Sequence, residues 1–465
     1  MRGSNAQLAA IGLWAVAGLV GAAFIAGATW LFSFPPSLSS DDAVYFANGI
    51  ERFSVLDFSP HFPGYPGFVW LGRAMRLAVG DPPAALQALT TLCALALVPL
   101  GAILVWGGTR SAVWALLAAA LTLTLPLLPL LALSGLSDAA ALALLLVFLV
   151  LTPARNACEG GRCFPLAFLA GIALGGALCV RPSYAPIAAP MMFALCLLDR
   201  RAGLASALGA ALVGVPMFAW IFAQEGMLYV QEGVRFFHGH TTGWGNTAFS
   251  DADGRVWWGD TLRANWQSAL CLLLFCGVAL VMAARWVVLG LGARLLLVGF
   301  ASAFAWTFLM QNPENMRHLA PVLLFGAFML AVMPASAVAV VATGCLIVAL
   351  NISILIGGMA PPPKPAPLSQ ALVWLNEAAT PGLVVTQRGV SFLRHGAERH
   401  RVYDLAQPAG AEAGVAEATG AAYRLADRSL GTCRPLIVFP ARVPGERPVF
   451  VYEASEGRLS PCADE

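Results

Sequence analysis

Residues 28–45 read ATWLFSFPPSLSSDDAVY. An apolar run ends at Phe32, Pro35 and Pro36 break the chain, and Ser40 precedes two adjacent carboxylates, Asp41 and Asp42. The run Leu8–Phe32 is long enough to cross a bilayer, which takes about 20 residues of helix. The acidic pair therefore lies just past a first membrane span. Ionised groups near hydrocarbon are expensive and tend to be functional, so this loop is where chemistry is expected.

The whole chain supports that reading. It has 465 residues, 59% hydrophobic and only 11% charged, with a mean hydropathy of +0.75. That balance excludes a soluble domain of this size, and a net charge of +2 gives no electrostatic case for nucleic acid. Backbone polar groups must be satisfied inside lipid, so long apolar runs should be helices. Eleven spans are expected, at about 8–33, 84–107, 112–133, 136–152, 165–180, 184–198, 203–223, 266–284, 295–311, 318–335 and 337–358. The first run is longer than the apolar region of a signal peptide and lacks a convincing cleavage site, so an uncleaved helix is expected.

Arginines in short loops set the orientation. With a cytoplasmic N-terminus, the inner loops carry Arg110, Arg155, Arg162, Arg200, Arg201, Arg285 and Arg294, accompanied only by Glu159 and Asp199. The opposite short loops carry Arg181 and Arg317 alone. Loops 34–83 and 224–265 and everything after Gly358 then lie outside. Twelve acidic residues of the membrane part fall on that outer face and two on the inner. Trp244, Trp257, Trp258 and Trp266 suit the interfacial belt.

The membrane part is expected to span 1–358, a proline-rich linker 359–367, and a small outer α/β domain 368–465. In that tail an amphipathic helix is expected at Leu368–Ala379, with strands at Leu383–Thr386, Val402–Asp404, Pro435–Phe439 and Val449–Tyr452. It shows no nucleophile or metal pattern. Cys433 and Cys462 should form a disulfide if that side is oxidising. Cys158 and Cys163, in an inner loop, have too few companions for a metal site.

Several residues on the outer face can do chemistry. Asp41 either caps a short interfacial helix or serves as a base; two neighbouring acids repel, so one can be held as a proton acceptor. Through their oxygens the pair can alternatively bind a divalent cation. His61-Phe62-Pro63-Gly64-Tyr65-Pro66 is a rigid turn opening a second interfacial helix, Gly67–Leu77, with His61 in the same compartment as Asp41. Arg181 and Arg317 end spans on the outer side, where a guanidinium either grips phosphate bidentately or snorkels to headgroups. Asp138 either pairs with one of them or caps the next helix. His238 and His240 are two apart, a spacing that serves a metal only on a strand, and no third ligand is evident.

In order and sidedness these motifs resemble the GT-C superfamily, over residues 1–358 and most strongly over 38–70. More narrowly, the chain is similar to the bacterial protein mannosyltransferases and aminoarabinose lipid A transferases. Those are multi-span inverting glycosyltransferases that take a sugar from a polyprenyl phosphate. The resemblance implies an all-α polytopic membrane protein of about eleven transmembrane helices in the bacterial inner membrane, with interfacial helices in the first outer loop and a small periplasmic α/β domain. It implies Asp41 as general base with Asp42 in support, Arg317 on the donor phosphate, His61 near the donor, and Asp138 as the acidic residue of the second outer loop. Arg181 is a further candidate for the phosphate, Tyr65 and His318 are candidates to contact substrate, and His238 and His240 lie in a loop that either contacts substrate or is structural. No cofactor or metal is required by it, with a divalent cation left open; the partners would be the polyprenyl-phosphate sugar, membrane lipids and a lipid, glycan or protein acceptor. Phe62 stands where many members have a proline, and His318 where a tyrosine is usual.

Lipid-phosphate sugars need no nucleotide cofactor, and neither a P-loop nor a dinucleotide fingerprint is present. The main rival is a transporter or flippase for a lipid-linked sugar, but such proteins place charge near the bilayer midplane, whereas here it gathers at one rim. A diphosphate-dependent ligase would need more outer arginines. A non-catalytic scaffold leaves the acidic pair unexplained.

Overall fold

Apolar runs with no water to bond become helices because each helix satisfies its own backbone. The structure, a computed structural model, describes residues 2–154, 164–243, 245–250, 256–333, 335–359, 362–405, 421–431 and 433–453. The chain runs through α1 (Arg2–Phe32), the short α2 (Asp41–Glu51) and α3 (Pro66–Val79), then α4 (Pro82–Thr109), α5 (Ala112–Leu123), α6 (Leu128–Leu133) and α7 (Asp138–Ala154). It continues through α8 (Phe164–Val180), α9 (Ala185–Leu198), α10 (Arg200–Glu225), α11 (Met227–His238) and α12 (Trp258–Ala264). Last in the bundle come α13 (Trp266–Ala284), α14 (Leu291–Met310), α15 (Ala320–Val332) and α16 (Ala337–Gly358).

Among the described residues, six helices are long and apolar enough to cross a membrane: α1, α4, α10, α13, α14 and α16. Five further apolar helical runs are shorter, and they lie at five of the expected spans. The third expected span, 112–133, is not one helix. It breaks at Thr124–Leu127, where Pro126 has no N–H to give and its ring would meet the carbonyl one turn back. The second long loop, 224–265, contains α11 and α12.

Lipid gives no hydrophobic drive for helix pairing, so close packing of small residues does that work. Helices α8 and α10 show it. A Cβ on Gly171 would fall 1.9 Å from the Ser206 carbonyl oxygen, and one on Gly209 would fall 2.1 Å from that of Phe168. The Ser206 hydroxyl donates to the Ala167 carbonyl at 2.7 Å across the same seam.

Beyond the bundle, α17 (Pro367–Glu377), β1 (Gly382–Thr386), α18 (Val390–Gly396), β2 (His400–Asp404), β3 (Ala421–Ala426), β4 (Ile437–Phe439) and β5 (Val449–Glu453) form an α/β unit. The sheet order is β2-β1-β3-β5-β4, with β2, β1 and β3 parallel and β5 antiparallel to both neighbours. Leu368, Ala371 and Leu375 of α17 pack on Val384, Leu425 and Val451 to make its core. This unit sits on one end of the bundle. Ser37 Oγ accepts the Ala366 N–H at 2.8 Å and bonds the buried Arg442 at 3.1 Å, and Ser369 donates to the Leu38 carbonyl at 3.0 Å. Contacts from Ser39 to Ser134 and from Val55 to Glu225 bring the other connections to the same end.

Candidate active site

Ser40, in extended conformation, opens α2 and accepts the Ala43 N–H at 3.3 Å. Capping, one of the two readings of Asp41, is therefore done by Ser40. Asp41 and Asp42 occupy the first helical turn, where a carboxylate is favoured by the exposed N–H groups. Successive helical residues point about 100° apart. Ala43, Phe46, Ala47 and Ile50 bury one face of α2, and the two acids end up with different neighbours.

Asp42 turns to the bundle. Its Oδ2 lies 3.1 Å from Arg317 Nη2 and its Oδ1 lies 3.9 Å from His61 Nδ1. Arg317 sits in a short turn, Met316–Leu319, between α14 and α15. Its Nε is 3.9 Å from Oδ2 of Asp138, the first residue of α7. Asp138 Oδ1 in turn lies 3.0 Å from Arg181 Nη2 and accepts from the Tyr184 hydroxyl at 3.4 Å. Arg181 also donates to Ser137 Oγ at 3.0 Å and stacks over the Tyr184 ring. The result is a row of alternating charge: Asp42, Arg317, Asp138, Arg181.

Asp138 is 1% exposed and Arg181 is 6% exposed, so Arg181 does not reach out to headgroups. It is held within the protein by Asp138, which both pairs with it and starts α7. Burial of this kind normally demands complete hydrogen bonding. Yet Nε of Arg181, Nε of Arg317, Oδ2 of Asp138 and Nδ1 of His61 are buried without a hydrogen-bond partner.

The proline turn builds the wall beside them. Tyr65 caps α3 in the left-handed region (φ 44°), which is uncommon for a residue with a side chain, and it is buried against Phe46 and His61. His61 is ringed by Tyr65, Phe46, Tyr45 and Phe236. Burial, with Arg317 and Arg181 assisting, draws the His61 imidazole below its ordinary pKa, although Asp42 opposes this. Burial raises the Tyr65 phenol to about 12. His318 adjoins the same group, and its carbonyl accepts the Thr307 hydroxyl at 3.0 Å.

The two carboxylates are pushed apart. Burial, reinforced by its neighbour Asp42, raises Asp41 above the ordinary aspartate range, against the opposing N–H groups of Phe392, Ser391 and Gly389. Burial also works against ionisation of Asp42, but His61 and Arg317 outweigh it and lower its pKa.

Asp41 faces away from the bundle, toward the sheet unit, and its Oδ1 accepts the Phe392 N–H at 3.0 Å. One turn along α2, the Tyr45 hydroxyl and Ser391 Oγ are 2.7 Å apart. The tail, read from sequence as carrying no functional pattern, therefore reaches a site residue. Ser137 and Tyr184 were also missed. Each is within three residues of a quoted one, but nothing local marks it.

The histidine pair does not sit on a strand. His238 ends α11 and His240 lies in the turn Gly239–Gly243. His240 Nε2 meets the Met310 carbonyl oxygen at 3.1 Å. His238 lines an open, largely apolar groove of about 640 Å³ with Phe62, Tyr229, Val234 and Phe237, so it is not in the charged row. Among the described residues, no group of three or more His, Cys, Asp or Glu is placed to hold a metal ion. Cys433 is disulfide-bonded, while Cys462, Cys158 and Cys163 lie outside the described residues.

No family model and no curated protein matches the chain. Solved structures do. ArnT from Cupriavidus metallidurans, crystallised bound to undecaprenyl phosphate, aligns over 95% of this chain and 98% of its own, with a TM-score of 0.54 at 13% identity. The oligosaccharyltransferase of Archaeoglobus fulgidus in its apo form aligns over 89% of this chain and 69% of its own, with a TM-score of 0.51 at 13% identity. The chain has a GT-C fold. The expected architecture, a polytopic helical bundle with a small C-terminal sheet, is the one found. In this GT-C bundle the acidic pair follows the first helix, and Arg317 comes late in the chain to meet it.

Proposed function

We propose that the protein is an inverting glycosyltransferase that moves a sugar from a polyprenyl-phosphate donor to a lipid, glycan or protein acceptor at the outer face of the bacterial inner membrane. One observation carries the reading: two adjacent carboxylates with opposed proton affinities open one helix, and the second of them, Asp42, meets a guanidinium whose Nε has no hydrogen-bond partner. Asp41, the stronger proton acceptor, is the base. Arg317, helped by Arg181 and His61, takes the phosphate.

In the reaction the acceptor's hydroxyl or amine attacks the anomeric carbon and gives its proton to Asp41. The bond from that carbon to the phosphate oxygen breaks, its electron pair leaves on the phosphate, and polyprenyl phosphate is released. Charge develops on the leaving phosphate, so a preorganised cation there lowers the barrier. Asp42, held ionised, keeps Arg317 aimed while the donor is absent. No step calls for a metal; a divalent cation on the carboxylate pair is a variant of the same reading.

The groove beside Phe62 supports a lipid-linked donor. Its residues are mostly apolar, and Phe62 is the neighbour of His61, so a prenyl chain there runs beside the turn that carries His61. ArnT was crystallised bound to undecaprenyl phosphate, which makes that lipid the donor carrier to try first. The segment 368–465 is assigned as the periplasmic domain, with Asp138, Tyr65, His318 and His240 around the transferred sugar. The test compares envelope lipids, glycans and proteins by mass spectrometry in cells making the wild type or Asp41→Asn. A hexose- or pentose-sized mass increment should appear with the wild type only; identical spectra from both would remove the assignment.

A further inference from the structure

Resting on Asp41 as base, we infer that Ser391 and Phe392 are positioning residues for the reaction, so that the sheet unit completes the catalytic site. The geometry starts at the end of β1. Thr386 Oγ1 donates to the Arg388 carbonyl at 2.8 Å and accepts the Arg388 N–H at 3.2 Å. Gly389 then takes φ +68°, and a Cβ there would meet the Leu368 side chain at 2.6 Å. The turn into α18 is thereby fixed by the unit's own core. Out of it come the Phe392 N–H, 3.0 Å from Asp41 Oδ1, and the Ser391 hydroxyl, 2.7 Å from that of Tyr45.

Asp41 and Tyr45 are four residues apart and so share one face of α2. Two bonds along that face fix both the helix and the carboxyl rotamer. The Phe392 N–H holds Oδ1 of Asp41, which sets how the carboxyl meets an incoming acceptor. A hydrogen bond to a carboxylate is stronger than a neutral one, so this is the firmer of the two tethers.

The same unit holds the phosphate side. Arg388 lies 2.6 Å from Glu314 Oε2 and 2.6 Å from Asp427 Oδ2. Arg447 joins Asp427 and also donates to the Glu314 carbonyl and, at 3.1 Å, to Asn315 Oδ1. Glu314 and Asn315 lead directly into the turn that presents Arg317. One rigid sheet therefore sets where the base stands relative to the guanidinium.

The experiment uses the full chain. Initial rates of sugar transfer are measured in isolated membranes by mass spectrometry, and undecaprenyl phosphate binding is measured on purified protein. The variants are Ser391→Ala, Ser391→Thr, Tyr45→Phe and Phe392→Pro; the last removes the N–H together with an aromatic ring packed on the unit's core, so the hydroxyl deletions carry the test. Phe392→Pro, Ser391→Ala and Tyr45→Phe should lower transfer, by about tenfold for the charge-assisted bond, with lipid affinity within about twofold and Ser391→Thr restoring the rate. Unchanged transfer overturns the inference. So does faster transfer, which would mean that the segment blocks Asp41, or a parallel loss of lipid affinity, which would mean a general structural role. Asp41→Asn is run alongside: if it retains transfer, the base assignment has failed rather than the positioning.

Discussion

Replacing Arg317 with alanine is the perturbation that bears most directly on the site. Arg317 is largely buried, with a side-chain exposure of 17%, and lies 3.1 Å from Asp42. A bound phosphate monoester would take charge-assisted hydrogen bonds from its Nε and one Nη. Each such bond is worth about 1.5–3 kcal/mol. Part of this is offset because Asp42 must give up its own bond as the phosphate arrives. A net loss of about 2–4 kcal/mol follows, or a roughly 30- to 1,000-fold weaker affinity at 1.4 kcal/mol per factor of ten. Arg317→Lys should recover only part of it, since an ammonium lacks the planar fork. Titration calorimetry of undecaprenyl phosphate into detergent-solubilised protein measures both. A change below about threefold in Arg317→Ala, with the fold intact by circular dichroism, would refute the assignment of this guanidinium to phosphate.

The raised Asp41 implies that activity falls as pH drops through a value above the ordinary aspartate range, because the protonated acid cannot accept a proton. Asp42→Asn removes the like charge and should move that acid limb to lower pH; a limb that stays put in rate–pH profiles at saturating donor denies the coupling. Asp138→Ala strands a buried Arg181 and should cost about 3–5 kcal/mol of stability. Thermal unfolding in detergent reads this, and paired replacement of Asp138 and Arg181 by Leu and Met should recover most of it. Gly171→Ala places a Cβ 1.9 Å from a backbone oxygen, forcing α8 and α10 apart at about 1–3 kcal/mol; an unaltered melting temperature would mean that the seam is looser than described.

Much of the bundle was legible because lipid leaves an apolar run little choice but helix. Legibility failed where a single residue overrode the run, as at Pro126, and where a helix is amphipathic but too polar for a span, as in α11, Met227–His238. In the tail, β3 went unread: Ala421-Ala422-Tyr423-Arg424 lacks the alternation and β-branched residues that mark a strand. The acidic pair was visible because two adjacent carboxylates beside a span are conspicuous in any chain. Its partners were guessed one at a time from their sidedness. The pairing of Asp138 with Arg181 was one of two local options, and only packing of α7 against α8 decides it. The bond from Phe392 to Asp41 spans 351 positions and uses a backbone N–H, which every residue but proline carries. No property of the letters at 391 and 392 could have announced it.

The clasp between Ser37 and Arg442 joins positions 405 apart. The ribosome emits Ser37 long before Arg442. Until Arg442 emerges, the helices already threaded into the bilayer lack this brace, and only the contacts of Ala366, Ser369, Ser391 and Phe392 can join the two parts. That brace is therefore added only after the bundle has been made, and fragments cut short of Arg442 should insert in the membrane with this end of the bundle less firmly held.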